Sequence, residues 1–147
     1  MGKCLECGAE LSDGETCQEF FHQMLYWENE VAENGSVHHL MVLCFYLQHP
    51  ALYSKEGLVH ARQLLKDFIL EGFTPSQVRK ERRSQLSSDN RKWKLKGDQD
   101  NRGSYNKPMV WKMTAHDVVQ GGIEKYIASV TAWAEKTCEV LQENENV

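Results

Sequence analysis

The amino-acid sequence predicts a mainly α-helical fold: a small helical domain with an N-terminal cysteine knuckle and a short two-stranded β ribbon. Three observations carry that expectation. Apolar residues recur at helical spacing through most of the chain. Cap signatures built from Ser, Thr, Pro and Gly punctuate those stretches. Three of the five cysteines, Cys4, Cys7 and Cys17, crowd into the first seventeen residues. The 147 residues, 41% hydrophobic and 26% charged, have the size of one domain and the composition of a globular one. Residues 1–147 are therefore read as a single domain. Its parts are a metal knuckle (1–17), a helical core (17–88), a polar loop with the ribbon (89–113) and C-terminal helices (114–142).

In chain order, residues 1–16 form a Gly-rich knuckle with a turn at Ser12-Asp13-Gly14. Thr16, with Glu19 three residues on, is the signature of a capping box opening a first helix over Cys17–Glu33. Phe20, Met24, Trp27 and Val31 give it one apolar face, and Asn34-Gly35-Ser36 stops it. The second helix, Val37–Gln48, is apolar almost all round and is expected to be the central one. Pro50 ends it. A third helix follows Ser54, lays Leu58, Ala61, Leu65 and Ile69 on one face and stops at Gly72. Thr74-Pro75-Ser76-Gln77 combines an N-cap, a first-position proline and a capping-box Gln, and so opens a fourth. Alternating runs around Trp93 and Leu95, and at Met109, Trp111 and Met113, predict the ribbon. Thr114 and Asp117 form another capping box, starting a short turn that Gly121-Gly122 interrupts. The last helix carries Ile123, Ile127, Val130, Ala134, Cys138 and Leu141 as its stripe.

The chemistry sits in the cysteines. Cys4-x-x-Cys7-Gly8 is a zinc knuckle: two thiolates at this spacing bind one tetrahedral ion, and the glycine lets the backbone turn around it. Cys17, at a helix start, strengthens the reading, because a helix N-terminus favours the thiolate that a metal needs. Cys44 and Cys138 lie in apolar stretches and read as small buried hydrophobes. An odd cysteine count and no leader-like opening segment argue against a disulfide framework and lead us to expect a cytoplasmic protein. A structural zinc site closes with four ligands, so a histidine is required. If the first two helices form an antiparallel hairpin, Cys17 lies beside His49, which makes His49 the favoured fourth ligand. His22, at a Cys-x4-His spacing, and His38 are the alternatives.

The net charge is -4, yet residues 75–96 carry +6 through Arg79, Lys80, Arg82, Arg83, Arg91, Lys92, Lys94 and Lys96. Such a stretch around Trp93 suits phosphate contact. With an overall pI near 5.9, a solvated face pairing with the acidic remainder is the favoured reading, and nucleic acid is not the expected partner. The longest apolar run, Leu40–Leu47, is far short of the ~20 residues a spanning helix needs, so no membrane partner is expected.

Cys4-x-x-Cys7-Gly8, helix-opening Cys17, Val37-His38-His39-Leu40, Leu47-Gln48-His49-Pro50, Trp111-x-x-Thr114-x-x-Asp117-Val118 and Val130-x-x-Trp133-Ala134 together resemble a bacterial family of uncharacterised proteins, domain of unknown function family 5946. The resemblance spans nearly the whole chain. It implies one small domain with a metal knuckle and points to His38 and His49 as the family-like histidines. It implies no reaction. The expected function is that of a zinc-binding protein whose metal is structural and whose role is binding or interaction with a protein partner. The alternatives are a metal- or thiol-dependent enzyme built on the Cys/His cluster, and a weak nucleic-acid binder using residues 79–96.

Overall fold

The computed structural model describes residues 2–78, 96–97 and 100–144. Strands β1 (Gly2–Lys3) and β2 (Glu10–Leu11) pair antiparallel, Gly2 opposite Leu11 and Lys3 opposite Glu10. The helices described over their whole span are α1 (Cys17–Glu30), α2 (His38–Gln48), α3 (Lys55–Ile69), α4 (Ala115–Gly121) and α5 (Tyr126–Glu143). Three 3-10 helices, Ala32–Val37, Pro50–Leu52 and Ile123–Lys125, connect them.

The caps form where local chemistry asks for them. Thr16 Oγ1 accepts the Glu19 N–H at 3.3 Å at the start of α1, and Ser54 Oγ accepts the Gly57 N–H at 2.9 Å at the start of α3. Thr114 and Asp117 close a reciprocal box at α4. Thr74 and Gln77 close another, with bonds of 2.8 and 3.2 Å, and residues 75–78 are helical. Gly122, at φ 85°, separates α4 from the last helix.

The core lies between α2 and α5. Seven of the eleven α2 residues are buried, as its all-round apolarity requires. Helix α5 packs on α2, α3 and α4 and seals Tyr126, Val130, Trp133, Ala134 and Leu141 completely from solvent. Gln48 is fully buried too. Its amide donates to the Met113 carbonyl at 2.8 Å and to Thr137 Oγ1 at 3.2 Å, which ties α2 to α5 and to the chain before α4. Among the described residues no helix is long and apolar enough to cross a membrane.

Four expectations are corrected. The first helix ends at Glu30 rather than Glu33: Val31 turns extended at φ -127°, ψ 112°, the Asn34 N–H takes the Val31 carbonyl at 2.9 Å to start the 3-10 turn, and the Asn34 side-chain amide caps the Trp27 carbonyl at 3.1 Å. The described ribbon is the one at the N-terminus. Residues 109–113 form no strand. Met109, Trp111 and Met113 lean on the core instead, and the Met113 carbonyl is taken by Gln48. Third, Val31, counted on the α1 face, is 42% exposed. Fourth, the last-helix stripe begins too early: Ile127 is 37% exposed, and Tyr126 is buried in its place. The run at Trp93 and Leu95, and all the basic residues of 79–96 except Lys96, lie outside the described residues. Lys96 is exposed and bridges Tyr53.

Beyond Lys96, the chain straps the turn that follows α2. Gly97 N–H donates to the Leu52 carbonyl at 3.0 Å, and Gly103 N–H to the Tyr53 carbonyl at 2.8 Å. A Cβ on Gly103 would stand 2.7 Å from the Pro50 carbonyl oxygen and 3.2 Å from the Leu58 side chain. Gly103→Ala is therefore expected to destabilise the protein by about 1–3 kcal/mol. Gly35→Ala, whose Cβ would meet nothing within 4 Å, should change stability by no more than about 0.5 kcal/mol. Urea unfolding of both variants measures the contrast.

Candidate metal centre

Cys4, Cys7, Cys17 and His49 come together from three parts of the chain, and their ligand atoms all lie within 4.8 Å of one another. Cys4 and Cys7 belong to the loop between β1 and β2. Gly8, at φ 80°, turns that loop back, so that Gly8 N–H reaches the Cys4 carbonyl at 3.0 Å and Cys4 N–H reaches the Ala9 carbonyl at 2.9 Å. The Ala9 N–H points at Cys7 Sγ from 3.4 Å, a contact that stabilises negative charge on that sulfur. Cys17 is the first residue of α1, and His49 caps the end of α2.

The orientation of His49 follows from the proline after it. Pro50 has no N–H to give the Tyr46 carbonyl. The His49 N–H takes that carbonyl instead, at 3.0 Å. The Phe45 carbonyl, which an unbroken helix would have offered to that same N–H, is left free. His49 Nδ1 bonds it at 2.6 Å. A carbonyl only accepts, so Nδ1 carries the proton and donates. Nε2 is thereby turned toward the sulfurs, 3.6 Å from Cys4 Sγ. Cys7 and Cys17 Sγ are also 3.6 Å apart.

The profile of a protein family described as "Family of unknown function (DUF5946)" matches residues 2–142. The chain belongs to this family. No curated protein and no solved structure matches it.

In this DUF5946 chain the cluster is closed. Cys7, Cys17 and His49 are 4%, 8% and 6% exposed, and only Cys4 is partly open. The closeness of the four groups shifts how three of them hold their protons. Hydrogen bonds from Cys17 and then Cys7 hold the Cys4 thiol far below its usual range. The neighbouring Cys4 and then Cys7 sulfurs push the Cys17 thiol far up, so the helix N-terminus does not by itself decide its charge. Burial alone would lower the His49 imidazole, but hydrogen bonds to Cys4, Cys7 and the Phe45 carbonyl raise it to about 10. Cys44, sealed in the core, is pushed up to about 12 by burial. Cys138 is buried as well, and neither belongs to the cluster.

The other histidines lie elsewhere. His22 is exposed and near Gln18 (3.4 Å). His38 Nδ1 bonds Glu28 at 2.6 Å. His39 packs edge-on to Phe68, with ring centroids 4.6 Å apart, and burial lowers its pKa. Two supporting groups escaped the sequence reading. Glu6, inside the knuckle, accepts the Ala51 N–H at 3.3 Å and so docks the knuckle onto the turn after His49. Tyr105 Oη donates to the Leu47 carbonyl at 2.6 Å, bracing the end of α2. No spacing rule marks a lone Glu or Tyr for such a contact.

Gly8 is the residue on which the knuckle turns. A Cβ there meets nothing within 4 Å, so Gly8→Ala tests backbone strain alone, and a loss of about 1–2 kcal/mol is expected. Leu5→Ala, at a fully exposed tip, should be neutral in the same urea titration.

Proposed function

We propose that Cys4, Cys7, Cys17 and His49 hold one zinc ion, and that the ion is structural. The observation that carries this reading is the geometry of the four ligand atoms. Zinc bonds of about 2.3 Å to sulfur and 2.0–2.1 Å to nitrogen, set tetrahedrally, place two sulfurs about 3.8 Å apart and a sulfur and nitrogen about 3.6 Å apart. The Cys7–Cys17 and Cys4–His49 separations are both 3.6 Å. The His49 Nδ1–H bond to a backbone carbonyl is the outer-shell contact that orients a metal-ligating imidazole. Three thiolates and one imidazole fill zinc's four positions and leave none open for substrate, which favours a staple over a catalytic ion.

A zinc ion here joins the N-terminal hairpin, the start of α1 and the end of α2. On this reading residues 1–147 act as one metal-stapled domain, serving as a non-enzymatic binding or interaction module. Thiolate ligands require a reducing compartment, which makes a cytoplasmic location part of the proposal.

Purified protein is expected to contain one zinc per chain. Cobalt in its place should give the intense visible bands of a tetrahedral site and the ultraviolet charge-transfer bands of thiolate ligands. Protein prepared without chelator that holds no zinc would sink the proposal. Among the histidines, His49→Ala should release metal to a chelator at least tenfold faster than the parent protein. His22→Ala and His38→Ala should match the parent. Equal release from all three variants would remove His49 from the ligand set.

A further inference from the structure

Val31, Ile123 and Ile127 read in the sequence as core residues, yet all three surround one open cleft of about 490 Å³. They come from the end of α1 and from the start of α5 with the 3-10 turn before it, with Ala128 completing the apolar part. Val31 and Ile127 are 42% and 37% exposed. Two amphipathic stripes thus run past the core and meet at the surface without covering each other. The hollow is a small apolar seat, of a size to take the stem of one side chain. The volume lies within the ~300–1,000 Å³ of clefts that hold ligands. The cleft is at the opposite end of α1 from Cys17.

The charged side chains that line it among the described residues are acidic. They are Glu33 and Glu124, beside the polar Asn34, while Lys125, next in the chain, does not line the cleft. The last turn of α1 adds to this. It holds Glu28 and Glu30 and no basic residue. A helix C-terminus carries a partial negative charge and is stabilised by cations, so these acidic residues are placed against the dipole. Glu28 is answered from within the protein, by His38 Nδ1 and Tyr126 Oη, and the hydroxyl of Tyr26 answers Glu30. Glu33 and Glu124 stay at the rim of an apolar hollow.

We propose that this cleft docks a basic segment of a partner protein, with an Arg or Lys side chain laid into it. The aliphatic stem of such a side chain covers Val31, Ile123 and Ile127, while its charged head reaches Glu33, Glu124 and the carbonyl end of α1. A purely apolar partner leaves two carboxylates beside a dry contact, and an acidic one meets like charge. The proposal goes beyond the zinc reading, and the test leaves metal content untouched.

The test uses zinc-loaded full-length protein with labelled Val and Ile methyl groups. It is titrated with the peptide acetyl-Leu-Arg-Arg-Leu-amide and with its citrulline counterpart, which has the same shape without the charge. The arginine peptide is expected to shift the Val31, Ile123 and Ile127 methyl signals saturably, and the exposed Val59 and Val110 much less. Glu33→Gln combined with Glu124→Gln should weaken the peptide roughly three- to tenfold, while the zinc content stays at that of the parent. Equal shifts from the citrulline peptide, or shifts no larger at the cleft than at Val59 and Val110, overturn the proposal. So do cleft shifts that grow with protein concentration alone, which assign the surface to a second copy of this chain.

Discussion

Pro50 removes one hydrogen-bond donor from the end of α2, and much of the architecture around the cysteine cluster follows from that. With no N–H at position 50, the last turn tightens and the Phe45 carbonyl is freed to bind the His49 ring at 2.6 Å. A buried imidazole held through Nδ1 has only Nε2 left to offer, and that atom faces Cys4. Without the proline, α2 would satisfy its carbonyls along its own axis, and nothing would fix the ring. One missing donor therefore links local helix chemistry to the long-range meeting of residues 4, 7, 17 and 49.

The knuckle and the strap both attach at or beside the same turn. Glu6 reaches it from the knuckle, Gly97 and Gly103 from the strap, and Tyr105 from beyond the strap. Each contact goes to a backbone group that a helix end would otherwise leave bare. This explains why two glycines are needed within a short stretch: the strap lies on the carbonyls of Pro50, Ala51 and Tyr53 too closely for a side chain. The knuckle, the end of α2 and the strap are thus held at one locus by polar contacts, while α5 organises the apolar core elsewhere.

The sequence was legible wherever a signal was local. The caps at Thr16, Thr74 and Thr114 depend on residues within one turn: the boxes at Thr74 and Thr114 bond both ways, while at Thr16 the threonine half of the box forms. The profile match over residues 2–142 agrees with the family resemblance read from motifs. The convergence of Cys17 and His49 was accessible through one assumption, that two helices joined by a short link run antiparallel. Signals that depend on tertiary context misled. Alternation at Met109, Trp111 and Met113 resembles a strand, but an extended segment leaning on a helical core alternates in the same way. Helical spacing at Val31, Ile123 and Ile127 shows that a face is apolar, not that something covers it. Tyr126 and Glu28 carried no pattern, because their bond joins residues 98 positions apart.

The Glu28 carboxylate has a consequence for how the protein opens. It is shared by His38, the first residue of α2, and Tyr126, the first residue of α5, while it sits itself in the last turn of α1. Helices ordinarily exchange their amide hydrogens by fraying from the tips, each independently of its neighbours. Here three tips share one anion, so unwinding any of them strands a largely buried charge that the other two must then solvate. The tips are coupled, and the amides around residues 28, 38 and 126 become part of one cooperative opening unit. Slow exchange at those termini would come not from the length of any helix but from a single side chain that none of the three releases alone.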